Sequence, residues 1–208
     1  MSKRIVVIGG GEHARVLIEA IRAGSTLQEV LGFVDPEPCD ETARSLGVRR
    51  LGGEDALERH RGALGILGFA ALETRGRREE AVRRLSGLLD GWATVVHSSA
   101  WVSPTATVGE GTAIMAGAVV QTGAQIGAHC VINTGAIVEH DAVLGEHAHL
   151  APGATLGGAV RIGPLAYIGL GAVVRDHTSV GAGATVGMGA VVVRDVTAGA
   201  RVMGVPAR

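Results

Sequence analysis

The sequence has almost no net charge, few cysteines and no long apolar run. Its 19 basic and 20 acidic residues leave a formal net charge of −1 over 208 residues, so charge does not favour binding to nucleic acid or another polyanion. No apolar stretch approaches the roughly 20 residues that a membrane-spanning helix needs, and the start of the chain lacks a secretory cleavage pattern. We therefore expect a cytoplasmic protein that neither inserts into a membrane nor binds nucleic acid.

A six-residue repeat dominates the second half of the chain. Between residues 100 and 193 an aliphatic residue recurs at every sixth position without an insertion: Val102, Val108, Ile114, Val120, Ile126, Ile132, Val138, Leu144, Leu150, Leu156, Ile162, Ile168, Val174, Val180, Val186 and Val192. A small residue, usually alanine, stands two positions before each of them. An amphipathic helix would repeat every 3.6 residues, whereas a fixed six-residue period is typical of a parallel β-helix.

The spacing of one glycine column indicates how many hexads make a coil. Glycine recurs 18 residues apart at Gly109, Gly127, Gly145, Gly163 and Gly181, so three hexads should form each coil. The cross-section is then a triangle whose short strands pair with the coils above and below at about 4.8 Å. We expect these glycines at the corners, in turn conformations that a Cβ would disfavour.

The cysteines indicate no disulfide bond. Cys39 and Cys130 fall in different predicted domains, and Cys130 belongs to the small inward column of the repeat. A buried thiol can replace alanine there, and disulfides are rare in cytosolic proteins.

The first 96 residues alternate strand and helix signals. The predicted elements are strands at Arg4–Ile8, Glu29–Asp35 and Ala63–Phe69 and helices at His13–Ala23 and Thr74–Leu89. This order is typical of a small parallel α/β domain. We therefore predict two domains, an α/β domain at residues 1–96 and a parallel β-helix at residues 97–208.

A glycine-rich turn follows the first predicted strand. The run Gly9–Ala14, GGGEHA, fits the pattern G-x-G-x-x-A between a strand and a helix, where backbone N–H groups can receive a phosphate. Asp35, at the end of the second strand, could accept hydrogen bonds from a ribose or a base. A domain of fewer than 100 residues lacks a second mononucleotide half, so a nucleotide-type ligand is favoured over NAD. The alternative is that the glycines only make a tight turn.

A histidine between two carboxylates stands in the middle of the repeat. His140 follows the inward Val138 by two residues, which places it near a corner and facing outwards. The neighbouring Glu139 and Asp141 could fix the imidazole tautomer and raise its basicity, as general-base catalysis requires. The alternative is a solvated surface histidine, one of eight in the chain.

The segment NTGAIVEHD, residues 133–141, followed by His149 and by Gly157-Gly158, resembles the hexapeptide-repeat sugar acetyltransferases of the sialic acid and bacillosamine type. Members of this family also begin with a nucleotide-sugar domain that opens with a glycine-rich turn and a histidine, so the resemblance covers the whole chain. It implies a Rossmann-like nucleotide-sugar domain followed by a left-handed parallel β-helix of hexapeptide repeats. It also implies a homotrimer with acetyl-CoA bound between neighbouring prisms.

The resemblance also implies roles for individual residues. His140 would be the general base and Asp141 its orienting carboxylate, although glutamate is expected at the latter position in the bacillosamine enzymes. The substrate-binding residues would be Gly11, Glu12, His13, Asp35, Pro36, Gly68 and Asn133. The acetyl-CoA groove would contain His149, Gly158, Leu170 and Met188. The family pattern expects a small residue at Glu12 and a second acid at Pro36.

A metal site is another possible function of the prism. His129 and His147 are 18 residues apart and should stack, but Leu165 occupies the next position of that column. Catalytic zinc needs three protein ligands and an open position. We therefore interpret the pair as corner residues and expect no metal.

The implied reaction is direct transfer of the acetyl group of acetyl-CoA to an amino or hydroxyl group of a nucleotide-linked sugar. No serine or cysteine nucleophile accompanies a base at this position, so we expect no acetyl-enzyme intermediate. Two alternatives stay open: O-acetylation of free sialic acid or another sugar, and a non-catalytic scaffold or ligand sensor. The adjacent His140 and Asp141 argue against the scaffold.

Overall fold

The computed structural model describes residues 3–24, 28–37 and 40–208, so Cys39 lies outside the described residues. The chain divides into two compact units, Met1–Ser98 and Ser99–Arg208. Each unit has a hydrophobic core of its own. Within the described ranges, no helix combines the length and the apolar character needed to cross a membrane.

The first unit contains a four-stranded parallel sheet with the strand order β3-β2-β1-β4. Its strands are β1 (Lys3–Ile8), β2 (Gln28–Val34), β3 (Arg50–Gly52) and β4 (Leu64–Leu67), followed by β5 (Val95–Val96); its helices are α1 (Glu12–Ala23), α2 (Asp40–Leu46) and α3 (Arg75–Leu85), with 3-10 turns at Glu54–His60 and Leu72–Thr74. The inner strand β1 buries Ile5 to Ile8 without alternation, as a parallel strand covered on both faces does.

All five elements predicted for this unit are present, with shifted ends. The last helix was expected to reach Leu89 but ends at Leu85, where Ser86 caps it by donating its N–H to the Val82 carbonyl at 3.1 Å. Neither α2, β3 nor the first 3-10 turn was predicted from the sequence. These segments are short and polar, so they lack the apolar periodicity on which the prediction depended.

The second unit is a triangular parallel β-helix with two-residue strands on each face. These are β6 (Trp101–Val102), β7 (Thr107–Val108), β8 (Ala113–Ile114), β9 (Val119–Val120), β10 (Gln125–Ile126), β11 (Val131–Ile132), β12 (Ile137–Val138), β13 (Val143–Leu144), β14 (His149–Leu150), β15 (Thr155–Leu156), β16 (Arg161–Ile162), β17 (Tyr167–Ile168), β18 (Val173–Val174), β19 (Ser179–Val180), β20 (Thr185–Val186), β21 (Val191–Val192) and β22 (Arg201–Val202). Strands three hexads apart pair in parallel, for example Gln125 with Val143 and Val131 with His149. The predicted 18-residue coil is confirmed.

The inward columns are also confirmed. From Ile114 to Val192 every predicted aliphatic residue is at most 4% exposed, whereas Val102 and Val108 of the first coil are half-buried. The small column is buried with them, including Cys130 at 0%. The alternation of large and small side chains therefore fills a continuous core along the prism axis.

The expected role of the glycine column was wrong. Left-handed φ angles recur every six residues at another corner position, two residues further along, as at Gly111 and His129. The predicted glycines instead lie where coils approach closely: a Cβ on Gly109 would meet Ala128 N at 2.5 Å, and one on Gly163 would meet Ala182 N at 2.4 Å. Glycine is required in this column by contact with the next coil and not by a turn conformation.

Candidate active site

Except for His149, the predicted catalytic and cofactor residues of the second unit lie on or beside two of its edges. We call the edge formed by Thr122, His140, Gly158 and Asp176, each 18 residues from the last, the histidine edge. The edge formed by Thr134, Pro152, Leu170 and Met188 is the methionine edge. The face formed by β6, β9, β12, β15, β18 and β21 lies between them.

On the histidine edge, His140 and Asp141 form a hydrogen-bonded pair. His140 Nδ1 lies 2.9 Å from Asp141 Oδ2, and the His140 side chain is 55% exposed. Asp141 has a left-handed φ of +59°, a conformation that aspartate tolerates better than most residues. With Nδ1–H donated to the carboxylate, the lone pair of the imidazole lies on Nε2. The structure thus leaves Nε2 as the basic nitrogen, at an exposed position.

The surrounding carboxylates make this imidazole a stronger base. The hydrogen bond that His140 donates to Asp141 is the main cause that raises the pKa of His140. Desolvation, the next largest effect, lowers this pKa, and the negative charges of Asp141 and Glu139 raise it further. The Glu139 carboxylate also accepts a hydrogen bond from the His140 backbone N–H at 3.3 Å. The neutral form that accepts a proton is therefore reached at a higher pH than for an ordinary histidine.

Glycines on the adjacent coils make room for the pair. A Cβ on Gly158, one coil further along, would lie 2.5 Å from His140 Nε2, and a Cβ on Gly123, one coil back, would lie 2.5 Å from Asp141 Oδ1. The Gly158 N–H donates no hydrogen bond within the described residues. A free backbone donor beside the basic nitrogen can stabilise negative charge that develops on a carbonyl oxygen.

Gly158→Ala should therefore lower kcat by at least about tenfold, because the new methyl group displaces His140, the predicted general base, from its position. The backbone of Gly158 is not left-handed, so the loss of stability should be small. The matched control is Gly183→Ala, where φ is +66° and nothing lies within 4 Å of the added Cβ. That variant should lose about 1–2 kcal/mol of stability and keep its activity. Steady-state kinetics and thermal unfolding of both variants check this; the reverse pattern would contradict it.

Asp141→Asn should move the acidic limb of the profile of log(kcat/KM) against pH to lower pH. The carboxylate raises the pKa of His140, so its removal lowers that pKa and neutral imidazole persists in more acidic solution. The plateau should also fall by at least about tenfold, because the amide no longer fixes the tautomer. A pH-rate profile measured from pH 5 to 9 tests both effects. An acidic limb that stays in place would show that another group controls it.

The remaining predicted residues of this unit do not lie beside His140. Leu170 and Met188, 50% and 77% exposed, lie on the methionine edge. Asn133 immediately precedes Thr134 of that edge and accepts the Thr134 N–H at 2.8 Å. His149 faces outwards on β14 but is 6% exposed, with its ring centroid 4.9 Å from that of Tyr167. Only Gly158, of the four residues predicted for acetyl-CoA, shares an edge with His140.

The first unit contains a cavity of about 450 Å³ at the carboxyl ends of β1 and β2. This is where parallel sheets bind ligands, and the volume is that of a small-molecule site. Among the residues predicted for the substrate, Gly11, Asp35 and Pro36 line the cavity. Gly9 of the predicted glycine-rich turn lines it as well. The other lining residues were not predicted from the sequence, namely Ile8, Val34, Glu37, Glu54, Phe69, Thr74, Arg77, Glu80, Ala81 and Arg84.

Asp35 is bound to the glycine-rich turn. Its Oδ2 accepts the Gly10 N–H at 2.8 Å, and its Oδ1 accepts the Glu37 N–H at 3.0 Å. The Gly9 N–H is donated to the Val34 carbonyl at 2.7 Å. The predicted turn and the predicted acid are thus brought together, but two N–H groups of the turn already have protein acceptors.

The other predicted substrate residues lie around this turn. A Cβ on Gly68 would meet Gly9 O at 2.7 Å, so Gly68 allows β4 to pack against the turn. Glu12 lines a separate shallow hollow together with Arg15. His13 is half-buried, and burial, followed by the positive charge of Arg78, lowers its pKa from 6.5 to about 4. His13 is therefore neutral at physiological pH.

His129 and His147 form a stacked pair at the third edge of the prism. The rings of His129 and His147 stack with centroids 4.9 Å apart, and both residues are buried at left-handed corner positions. Within the described ranges, no group of three or more histidine, cysteine, aspartate or glutamate residues could hold a metal ion. The expected stacking at the corner is confirmed.

Comparison with known proteins identifies both the repeat and the whole-chain architecture. The family model "Bacterial transferase hexapeptide (six repeats)" matches residues 105–140 and 123–158. The parallel faces and these repeats fit a left-handed β-helix. A comparison with curated proteins found no match.

Solved structures match over the full length. The acetyltransferase domain of PglB from Neisseria gonorrhoeae is 32% identical, with a TM-score of 0.90 over 100% of this chain and 99% of that chain, and was also solved with acetyl coenzyme A. PerB from Caulobacter crescentus, in complex with CoA and GDP-perosamine, is 37% identical, with a TM-score of 0.88 over 98% of this chain and 95% of that one. Variants of the Caulobacter GDP-perosamine N-acetyltransferase in which a histidine is replaced by alanine or asparagine also match.

Proposed function

The chain belongs to the hexapeptide-repeat sugar N-acetyltransferases, and from that membership we propose how its own residues perform the reaction. It is an acetyl-CoA-dependent enzyme that acetylates an amino group of a nucleotide-linked sugar. The observation that carries the assignment is the His140–Asp141 pair, with its exposed basic nitrogen against Gly158. A scaffold or ligand sensor would not need a histidine whose pKa is raised beside a free backbone donor.

The proposed mechanism is a direct transfer in a ternary complex. The sugar amine attacks the thioester carbonyl carbon of acetyl-CoA while His140 Nε2 accepts the proton that the amine loses. Negative charge develops on the carbonyl oxygen, where the Gly158 N–H can donate to it. The attack gives a tetrahedral intermediate, and its collapse breaks the C–S bond. The departing thiolate of CoA then takes the proton from the imidazolium. Asp141 stabilises the imidazolium between the two proton transfers.

We assign the nucleotide part of the substrate to the cavity of the first unit, which we interpret as a Rossmann-like nucleotide-sugar domain. The cavity lies at the carboxyl ends of parallel strands beside a glycine-rich turn, and its walls include apolar residues such as Phe69. The relative solved with GDP-perosamine supports a nucleotide-sugar as the ligand. A hydroxyl acceptor is the second candidate, since the same base could deprotonate it.

The active enzyme is proposed to be a homotrimer. The histidine edge carries the base, whereas the methionine edge carries exposed apolar side chains, Leu170 and Met188, suited to the pantetheine arm of acetyl-CoA. One face of the prism separates these edges within a chain. Packing around a threefold axis can place the histidine edge of one chain against the methionine edge of the next, and the groove between them would be complete only in the trimer.

Mixed trimers of two inactive variants should recover activity. His140→Ala removes the base and Met188→Glu places a charge in the apolar part of the groove, so each homotrimer should be impaired. After dissociation and random reassembly of equal amounts, each mixed trimer holds one intact site, and about a quarter of wild-type activity should return. Each variant reassembled alone is the control. Mixed trimers without activity, or an active monomer in sedimentation, would contradict the shared groove.

The activity itself is tested by thiol release from acetyl-CoA. Purified chain is incubated with acetyl-CoA and GDP-perosamine or UDP-linked 4-amino sugars, and free CoA and the acetylated product are quantified. We expect release that depends on the amino sugar, with the acetyl group on nitrogen. Transfer only to hydroxyl groups would favour the second candidate. If no sugar acceptor promotes release, the chain is not a sugar acetyltransferase.

A further inference from the structure

The cavity of the first unit has a charge arrangement that is unusual for a diphosphate site. Its lining includes four carboxylates, at Asp35, Glu37, Glu54 and Glu80, but only two guanidinium groups. A nucleotide-sugar brings two further negative charges in its diphosphate. Because like charges repel strongly in a partly enclosed site, the ligand needs a cation or free N–H donors to offset them.

One of the two arginines is already neutralised. Arg84 donates from Nε and Nη2 to the two carboxylate oxygens of Glu54, at 2.9 and 2.5 Å, and its Nη1 lies 3.7 Å from Glu80. The hydrogen bond to Glu54 is the main cause that raises the pKa of Arg84. This bidentate ion pair holds the guanidinium in place and occupies its Nε and Nη2 donors. Arg84 is therefore a poor candidate for binding phosphate.

The glycine-rich turn is also less available than its sequence indicates. The Gly9 N–H is donated to a backbone carbonyl, and the Gly10 N–H to the Asp35 carboxylate. That carboxylate brings a negative charge to the edge of the turn. The turn can pack against a ligand, but its first two N–H groups cannot bind the diphosphate without breaking these hydrogen bonds.

Arg77 is the other arginine of this lining, and it differs from Arg84 in its contacts. It lies in the first turn of α3, lines the cavity, and makes no hydrogen bond or ion pair with the residues that the structure describes. The side chain is exposed, so its planar guanidinium can turn towards a ligand and bind two phosphate oxygens at once.

We infer that Arg77 binds the diphosphate of the nucleotide-sugar and that carboxylates of the same lining accept hydrogen bonds from the ribose and the base. The inference rests on the proposed function, because it assigns the phosphate end of the same substrate. Arg77 is then the residue by which the protein binds a nucleoside diphosphate more tightly than a nucleoside. Affinity for the phosphate part should then depend on one arginine more than on the turn.

Calorimetric titration of the full chain with GDP, UDP, guanosine and uridine tests this assignment. In Arg77→Ala the affinity for the preferred nucleoside diphosphate should fall about ten- to a hundredfold, the usual worth of hydrogen bonds to a charged group. The affinity for the corresponding nucleoside should change less than about threefold. Arg77→Lys should retain part of the diphosphate affinity. Arg83→Ala, an exposed arginine of the same helix outside the cavity lining, removes the same charge and should behave as wild type.

The outcomes separate this inference from the proposed function. If wild type binds GDP or UDP and Arg77→Ala binds it equally well, the phosphate lies elsewhere and only the role of Arg77 is overturned. An equal loss for nucleoside and nucleoside diphosphate would mean that Arg77 supports the cavity and not the phosphate. If wild type binds acetyl-CoA but neither nucleotide, the nucleotide-sugar assignment fails and the role of Arg77 fails with it.

Discussion

Replacing His140 with alanine should lower kcat by about 10²- to 10⁴-fold, the usual contribution of a general base. The melting temperature should change little, because the side chain is 55% exposed and contributes nothing to the inward columns. The KM for acetyl-CoA should stay within a few-fold of wild type, since the loss falls on proton transfer. Initial rates of thiol release and a thermal melt measure the two effects separately.

The control for this variant is His60→Ala, which removes an imidazole from the end of a 3-10 turn in the other unit. It should keep wild-type kinetics. Activity of His140→Ala within a few-fold of wild type would remove His140 from the mechanism. A large fall in melting temperature would instead show that the ring supports the prism and that the loss of activity is indirect.

Replacing Ile126 with aspartate should unfold the prism. Ile126 is 4% exposed in the inward column, and an unpaired carboxylate there costs several kcal/mol, on the order of the roughly 5–15 kcal/mol that stabilises a whole domain. We expect loss of soluble, folded protein, measured by circular dichroism and by size-exclusion chromatography. The cost is felt by the neighbouring coils as well, because each coil pairs with those above and below it.

The matched control is the preceding residue of the same strand. Gln125 is exposed on β10 and faces away from the core, so Gln125→Asp should change the stability by no more than about 0.5 kcal/mol. The two variants differ by one position and carry the same new side chain. A folded, thermostable Ile126→Asp protein, or an equally damaged Gln125→Asp protein, would show that the inward register is assigned wrongly.

The prism could be predicted because each hexad repeats one large and one small buried position, which is visible in the sequence itself. The edges could not be predicted in the same way. Asn133 and His140 stand in one nine-residue motif, yet they are more than one hexad apart and so belong to different edges. The residues of this motif were predicted to share one site, but one face of the triangular prism separates Asn133 from His140. Only the 18-residue register reveals the separation, and in the sequence that register was recognised for the glycine column and for His129 and His147 but not for this motif.

The charged lining of the cavity in the first unit could not be predicted from the sequence, for another reason. Its ion pair joins Arg84 to Glu54 across 30 residues, and the carboxylates meet only because α3 and the first 3-10 turn lie over the same end of the sheet. A run of arginines on a predicted amphipathic helix is ordinarily a solvated face. Arg84 is held in an ion pair, whereas Arg77 makes none with the described residues. This difference depends on tertiary contacts, which no local sequence pattern contains.

The three-hexad coil has a consequence for changes of chain length. Removing six residues between Gly158 and Leu170 would preserve the alternation of large and small inward side chains, so the core could still fill. Every later residue would, however, move back to the preceding edge, and Leu170 and Met188 would leave the methionine edge for the one that holds His129 and His147. Removing 18 residues would instead keep each edge intact and shorten the prism by one strand spacing, about 4.8 Å. Length variants of this enzyme should therefore remain active when a whole coil of eighteen residues is removed and lose activity when a single hexad is removed, even where both variants fold.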